Sequence, residues 1–434
     1  MLFKGVSIID ENFCLREHMY LGVKNGVITH IGTEAPDNPE GFGETYSGPD
    51  MLLIPGFYNA HSHLPMTLMR GYGENLSLMQ WLTTRIFPFE NLLTPDDIYF
   101  SCLLNIAEML RFGIVSSTDM YFSGNALGRA FADSGAKANF SVACTSSDEA
   151  SYYDLPVYKE ALKLKEEFNG LDNGRLKTEF SLHAEYTSSE RVTVEIAKEA
   201  AKNNSSMHVH ISETKAEVDE CKGRRGGRTP VEYFADCGLF EVPVTAAHCV
   251  HITDRDIEIS KEKGVNVATC PKSNLKLSSG ICPASKLLKA GVNVALGTDS
   301  VASNNNLNML EEMKFFALLQ KEHTKDPSVI TPGEALFAAT RAGALAQGRS
   351  GCGLLKTGFQ ADITVIDTGN IYMKPAHNLL NNLLYSACGT DVCMTIADGR
   401  ILYNNGEYPT LDIEKIGYMA EKSRRRILSA LGKQ

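Results

Sequence analysis

Short apolar runs alternate with amphipathic segments of helical spacing through the middle of the 434-residue chain. Eight such runs lie between residues 52 and 299, and they read LLIPGFYNA, GIVSSTDM, AKANFSVAC, LKTEFSLHA, SMHVHIS, VPVTAAHC, GVNVATC and GVNVALGTD. Apolar runs of this length, separated by helix-like patterns, predict buried strands that alternate with helices. Eight such units favour a closed barrel over an open sheet, so we predict an α/β protein built on a distorted (β/α)8 TIM-type barrel.

The two ends of the chain have a different pattern. Residues 1–55 contain β-type runs that are broken by Gly and Asn, and residues 358–408 repeat this character. Such runs are typical of hairpin-rich sheets. We therefore expect residues 1–55 and 358–434 to form a small β-sandwich jointly, with a terminal helix, and residues 56–357 to form the barrel.

Three helix starts carry the same local signal. A Thr-Pro pair stands at residues 94–95, 229–230 and 331–332, and an acidic residue follows the threonine three positions later as Asp97, Glu232 and Glu334. A capping hydroxyl, a proline in the first turn and an acid at the third position are typical of a helix N-terminus.

Charge and cysteine content narrow the class of protein. The chain has 42 basic and 52 acidic residues, a net charge of −10, which disfavours nucleic acid or an anionic membrane as a partner. It contains no run of 18 apolar residues, and its first residues lack the layout of a cleaved signal. Its 11 cysteines show no paired CxxC spacing, so we expect reduced thiols in a cytoplasmic protein.

Histidines stand at the ends of several predicted strands. His61 and His63 follow the first strand, and side chains two apart on a strand point the same way, here into the barrel mouth. Taken alone, this pair could equally be two loop histidines. Further candidates at strand ends are His208, His210, Glu213, His248 and Asp299. Nitrogen and oxygen donors gathered on one rim suit Zn²⁺ or another first-row divalent ion.

Six stretches in barrel order resemble the amidohydrolase superfamily: PGFYNAHSHLPMTLMRGYGENLSLMQWL, IFPFENLLT, HVHISET, AAHCVH, CPKSNLKLSSG and GTDSVASNNNLNMLEEMK. Within its cytosine-deaminase-like and chlorohydrolase-like branch, the chain looks most similar to the 5-methylthioadenosine/S-adenosylhomocysteine deaminases. The resemblance implies one divalent metal ion per subunit, Zn²⁺ first and Fe²⁺ second. The ligands it implies are His61, His63, His210 and Asp299. Relatives with two metals carry a lysine at the end of the fourth strand, where this chain has His183.

The resemblance also implies a reaction, the hydrolytic deamination of an aminated purine-type ring such as that of an adenosine derivative. Glu213 would protonate the ring nitrogen, Asp299 would pass the water's proton to the leaving ammonia, and His248 would bind the forming oxygen. The implied substrate contacts are Glu90, His183, Trp81 and Ser303. Core packing is an equally good explanation of Trp81, and His208 is expected to face away from the metal.

Several alternatives remain open on the sequence. No arginine lies between Arg129 and Arg175, where deaminases that accept a carboxylate tail are expected to carry one, although Tyr152 and Tyr153 could contact a tail instead. A smaller substrate, such as methylthioadenosine, 5'-deoxyadenosine or a free aminated heterocycle, is therefore favoured over S-adenosylhomocysteine. Other interpretations are a deaminase of a free heterocycle, a triazine-type chlorohydrolase and a non-catalytic metal-binding scaffold. For any of them the resemblance implies a homodimer or higher homo-oligomer.

Overall fold

The computed structural model describes residues 1–146 and 149–432. The N-terminal strands are β1 (Leu2–Ile9), β2 (Leu15–Lys24), β3 (Val27–Gly32), β4 (Thr45–Ser47) and β5 (Met51–Pro55). The central strands are β6 (Phe57–Ser62), β7 (Ile114–Tyr121), β8 (Lys137–Cys144), β9 (Leu176–Thr178), β10 (Phe180–Leu182), β11 (Met207–Ile211), β12 (Val244–His248), β13 (Asn266–Thr269) and β14 (Val294–Leu296). The C-terminal strands are β15 (Ile363–Asp367), β16 (Val392–Ala397) and β17 (Arg400–Asn404).

The α-helices of the first half are α1 (Leu78–Trp81), α2 (Phe87–Glu90), α3 (Pro95–Arg111), α4 (Gly124–Ser134), α5 (Pro156–Phe168), α6 (Leu171–Gly174), α7 (Glu190–Lys202), α8 (Lys215–Arg224) and α9 (Pro230–Asp236). Those of the second half are α10 (Asp254–Glu262), α11 (Pro271–Lys276), α12 (Ala284–Ala290), α13 (Val301–Asn304), α14 (Met309–Thr324), α15 (Pro332–Ala339), α16 (Arg341–Ala346), α17 (Leu379–Tyr385) and α18 (Ile413–Ala430). Helices α3, α9 and α15 begin at the three predicted Thr-Pro pairs, and each has both hydrogen bonds of a capping box. Among the described residues, no helix is long and apolar enough to cross a membrane.

The central strands form the predicted barrel. They pair in parallel in the order β6, β7, β8, β10, β11, β12, β13, β14, and β9 pairs with β8 as the first half of the interrupted fourth strand. The first and last strands meet where the backbone amides of Thr298 and Asp299 donate to His61 O at 3.1 and 3.0 Å. A Cβ on Gly297 would lie 2.8 Å from the Cβ of His61, so this close approach requires glycine.

Both termini contribute to a second, mostly antiparallel sheet. Its order is β17, β16, β15, β5, β1, β2, β3, and β4 pairs with β1. The sheet curls so that its far edge meets the start of β15, where Ile28 N donates to Phe359 O at 2.9 Å and Ala361 N donates to Gly26 O at 2.8 Å. It encloses its own apolar cluster, which confirms that the two ends build one β-unit.

Buried charge and a terminal helix join the parts of the molecule. Lys137 of β8 lies 2.6 Å from Asp362 and 2.7 Å from Asp398, both at the terminal sheet, and the lysine and Asp362 are almost fully buried. Helix α18 packs against α3 and adds Ala420 and Ile427 to the apolar cluster beside the barrel mouth.

Candidate active site

The four predicted metal ligands converge at the barrel mouth. His63 Nε2 lies 3.2 Å from His210 Nε2 and 3.4 Å from Asp299 Oδ1. His61 Nε2 lies 3.6 Å from the same carboxylate oxygen. Strand β6 and the residue directly after it therefore present two imidazoles, β11 presents a third, and the loop after β14 presents the carboxylate to one point.

Hydrogen bonds behind the cluster orient these groups. Nδ1 of His63 donates to Met120 O at 2.7 Å, and Nδ1 of His210 donates to His183 O at 2.8 Å. The serine hydroxyls of Ser273 and Ser303 donate to Asp299 Oδ2 at 2.5 and 2.9 Å. These bonds leave the Nε2 atoms and Oδ1 directed at the shared centre, as a ligand set requires.

The donor set fits a divalent metal. His61 Nε2 is buried with no hydrogen-bond partner, an arrangement that is costly unless another ligand satisfies the nitrogen. Burial, reinforced by the neighbouring imidazoles, lowers the pKa of His61 and His210 well below the usual value, so both rings are neutral and able to ligate. Lys177 donates to Gly348 O at 2.8 Å and so takes no part in the cluster.

Glu213 and His248 lie beside the cluster. His248 Nε2 is 3.9 Å from Glu213 Oε2, and its Nδ1 is 2.9 Å from Asn274 Oδ1. Burial raises the pKa of Glu213, and the charge of Asp299 acts in the same direction, so this carboxyl group holds a proton more readily than an exposed glutamate. His248 and Asp299 both have φ in the left-handed region, at 72° and 56°, as strained functional residues often do.

A cavity of about 430 Å³ opens onto the cluster. Three predicted substrate contacts, Glu90, Trp81 and His183, line it together with His63 and Glu213. The wall is otherwise mainly apolar, and in residues 1–146 and 149–432 it includes no lysine or arginine. Its further lining residues are Met66, Leu78, Leu82, Ile86, Phe87, Met120, Tyr121, Phe122, Ala143, Thr145, Tyr186, Thr187, His210, His248, Leu277, Asp299 and Ser300.

Two cavity residues have strongly shifted pKa values. Burial raises the pKa of Glu90 to about 7, against the opposing effect of a hydrogen bond from the Tyr121 hydroxyl. Burial, with the nearby His63 and His248, lowers the pKa of His183 to about 4. His183 is therefore neutral at neutral pH and can exchange hydrogen bonds with a substrate without adding charge.

Comparison with known proteins places this chain in one family. The model of the amidohydrolase family matches residues 52–402. The chain belongs to the amidohydrolase family. It is 40% identical over 393 residues, 90% of each chain, to the 5-methylthioadenosine/S-adenosylhomocysteine deaminase of Pelotomaculum thermopropionicum.

Solved amidohydrolase structures agree. A zinc-bound adenosine deaminase from Xanthomonas campestris is 30% identical, with a TM-score of 0.92 over 99% of this chain and 98% of that one. The zinc-complexed atrazine chlorohydrolase of Arthrobacter aurescens is 21% identical, with a TM-score of 0.88 over 98% of this chain and 99% of that one, and supports the fold alone. Membership of this family and the similarity to deaminases show that the protein is a hydrolytic deaminase, which acts on a C–N bond.

Some residues of this amidohydrolase stand elsewhere than the sequence suggested. Ser303 does not line the cavity but supports Asp299 from behind, because its hydroxyl is within reach of the carboxylate rather than of the open space. Tyr152 and Tyr153 do not line the cavity either. Each packs against Tyr158 instead. Residues 147 and 148 lie outside the described part of the chain.

Other contacts were missed at the sequence level. His208, expected to face away, lies with Nε2 2.8 Å from Nδ1 of His61, because side chains two apart on β11 share the inner face. Behind it stands Glu179, between β9 and β10. The available signal was an acidic residue in the middle of the predicted fourth strand. Tyr121, the partner of Glu90, had no signal beyond its position at a strand end.

Proposed function

We propose that this amidohydrolase releases ammonia from the purine ring of an adenosine derivative with a small, uncharged 5' substituent. Water replaces the ring amino group, which leaves as ammonia, so the reaction needs no redox cofactor. The observation that carries the proposal is one cavity that joins the metal-type cluster and Glu213 to Glu90 and Trp81.

The metal would be held by His61, His63, His210 and Asp299, and zinc is the ion we propose. When bound, it supplies Lewis acidity that brings the pKa of water near 7. Glu213, whose pKa is raised by burial, would give its proton to the ring nitrogen beside the amino-bearing carbon and would regain one from the added hydroxyl group as the carbonyl forms. Asp299 accepts the proton of the attacking water and delivers it to the leaving amine.

His248 and Glu90 bind the substrate in this proposal. Nδ1 of His248 is hydrogen-bonded to Asn274 Oδ1, so Nε2 is the atom that would hydrogen-bond to the oxygen added to the ring. Glu90 offers a buried carboxyl group that suits the ribose hydroxyls, and Trp81 contributes an aromatic wall. The proton transfers assigned to Glu213 and Asp299 are each worth about 10²- to 10⁴-fold in rate.

The cavity wall supports the choice of substituent. The carboxylate and ammonium of an S-adenosylhomocysteine tail would have to leave water, and no cationic side chain among the described lining residues would meet the carboxylate. A methylthio or methyl group needs only apolar contacts, which Met66, Phe87 and Leu277 provide. We therefore expect methylthioadenosine or 5'-deoxyadenosine to exceed S-adenosylhomocysteine in kcat/KM.

The test is ammonia release by the zinc-loaded protein from a panel of substrates. The panel holds methylthioadenosine, 5'-deoxyadenosine, adenosine, S-adenosylhomocysteine, guanine, cytosine and an aminated and a chlorinated triazine, with Glu213→Gln as the inactive control. Turnover confined to bare heterocycles would refute the nucleoside assignment, and chloride release would favour a chlorohydrolase. Silence throughout with zinc bound would favour the scaffold.

A charge introduced at the rim tests the argument about the tail directly. Phe87 lines the cavity and is 45% exposed, so a polar replacement is tolerated there. Phe87→Arg should raise kcat/KM for S-adenosylhomocysteine relative to methylthioadenosine, and the uncharged control Phe87→Gln should not. Equal ratios in the two variants would contradict the electrostatic explanation.

The same proposal includes a cytoplasmic location and homo-oligomeric assembly. Size-exclusion chromatography with light scattering measures the assembly, and a monomer at micromolar concentration would contradict it.

A further inference from the structure

One of the three ligand histidines is oriented differently from the other two. His63 and His210 donate Nδ1–H to backbone carbonyl oxygens. His61 instead places Nδ1 2.8 Å from Nε2 of His208, another imidazole. A carbonyl can only accept a hydrogen bond, whereas an imidazole nitrogen can donate or accept. The contact with His208 therefore does not by itself determine which nitrogen of His61 carries the proton.

The proton positions follow from the ligand atom. Nε2 of His61 is the atom that faces the metal cluster, where it lies 3.6 Å from Asp299 Oδ1. A ligating Nε2 carries no proton, so the neutral ring holds its proton on Nδ1 and donates it to His208. Nε2 of His208 must then accept, which puts the proton of His208 on Nδ1. That nitrogen lies 3.8 Å from Glu179 Oε2.

Glu179 is built to remain a carboxylate. Its side chain is buried, and Oε1 accepts hydrogen bonds from Asn139 Nδ2 at 2.7 Å and Ser206 Oγ at 2.9 Å. Burial favours the neutral acid, but His208 and these two donors outweigh it, and the pKa of Glu179 lies below its usual value. Oε2 and Nδ1 of His208 are both buried without a hydrogen-bond partner and lie 3.8 Å apart, so the negative charge faces the imidazole.

We propose that Glu179 and His208 are positioning residues for the metal. Through His208, the carboxylate holds His61 in the tautomer and ring orientation that present Nε2 to the ion. It also places a buried negative charge behind that ligand, which makes the nitrogen a stronger donor. This inference rests on the proposed function, since it presupposes that His61 binds the metal.

Glu179→Gln tests the proposal because it removes the charge and keeps the size. A glutamine can also turn its NH₂ group toward His208 and oppose the required tautomer. We expect a Zn²⁺ dissociation constant about 10- to 100-fold higher in chelator competition. The visible absorption bands of the cobalt-substituted protein should shift, because ligand geometry and donor strength change. Ser206→Ala, which removes one bond to the carboxylate, should act in the same direction and more weakly.

A double variant separates a linked pair from two independent residues. If Glu179 acts through His208, Glu179→Gln combined with His208→Gln should weaken zinc binding no more than His208→Gln alone. The matched control is Asp256→Asn. Asp256 is a fully buried carboxylate that binds Thr229 and Thr253 at helix starts, away from the cluster. This control should lower thermal stability and leave the zinc constant and the cobalt spectrum unchanged.

The proposal is overturned by a wild-type zinc constant and spectrum in Glu179→Gln and Ser206→Ala, or by equal weakening in Asp256→Asn. Fully additive effects in the double variant would overturn the route through His208. Failure of the wild-type chain to bind zinc, or to turn over any compound of the panel, would instead refute the proposed function on which the inference rests.

Discussion

Glu90 couples the stability of this amidohydrolase to pH. Burial raises the pKa of its carboxyl group from the usual 4.5 to about 7, and the hydrogen bond from Tyr121 offsets part of that effect. The unfolded chain releases this proton near its ordinary pKa, so between the two values the folded protein binds more protons. The free energy of unfolding therefore falls as pH rises from about 4.5 to 7. At roughly 1.4 kcal/mol for each pKa unit, the loss amounts to about 3 kcal/mol.

Replacement of Glu90 by glutamine removes this titration and keeps the shape of the side chain. We expect Glu90→Gln to match the wild type in stability near pH 4.5 and to exceed it by up to about 3 kcal/mol near pH 8. Urea unfolding at several pH values measures the difference, with the fluorescence of Trp81 as the signal. Trp81 is the only tryptophan, is 5% exposed and lines the same cavity.

Other buried carboxyl groups do not obscure this comparison. Asp119, whose pKa burial also raises to about 7, is present in both proteins, so its contribution cancels in the difference. Tyr121→Phe extends the test, because loss of the hydroxyl removes a bond to the ionised form, raises the pKa of Glu90 further and should carry the loss of stability on to higher pH. A difference between wild type and Glu90→Gln that stays constant across pH would refute the reasoning, since no other change in the variant titrates in this range.

Two further substitutions test a catalytic and a structural role of buried charged groups. Glu213→Gln should lower kcat by about 10²- to 10⁴-fold with unchanged metal content by elemental analysis, and loss of the metal would contradict its role as a proton donor outside the ligand set. Lys137→Met should lower the free energy of unfolding by about 3–5 kcal/mol in urea, because it leaves the buried carboxylate of Asp362 without its counter-charge. A stability within about 1 kcal/mol of the wild type would contradict that account.

The barrel was predictable because its signals are local and repeated. Seven of the eight apolar runs coincide with barrel strands, the first run spans β5 of the terminal sheet and the start of β6, and three Thr-Pro pairs open helices. The positions of His61 and His63 followed from the same pattern, since residues two apart at a strand end share a face. Such patterns do not show how close a side chain on the inner face lies to the open end of the barrel. His208 and His210 share one face of β11, yet only His210 reaches the shared centre, while His208 meets His61.

Partners far apart in sequence were also out of reach. Tyr121 meets Glu90 across 31 positions and Ser273 meets Asp299 across 26, and neither tyrosine nor serine has a spacing that marks it as a partner. For Ser303 the position could be predicted from the sequence, but the orientation of the side chain could not. Its place in the loop after Asp299 was visible, but whether it faced the cavity or the carboxylate depended on the turn of the backbone at Asp299, where φ is 56°.

The candidate site is held by polar contacts that do not involve a metal or a substrate. Asn59 donates to Thr298 Oγ1 at 2.7 Å and accepts from Thr298 N at 3.0 Å, which fixes the end of the last strand against the first. That junction places Asp299 beside His61, and the serine hydroxyls on Oδ2 set the direction of Oδ1. Because these hydrogen bonds join groups of the chain itself, they fix the direction in which Asp299 presents its carboxylate. The residues that decide how well the site works therefore include several, such as Asn59 and Ser273, that lie behind the groups expected to meet metal or substrate.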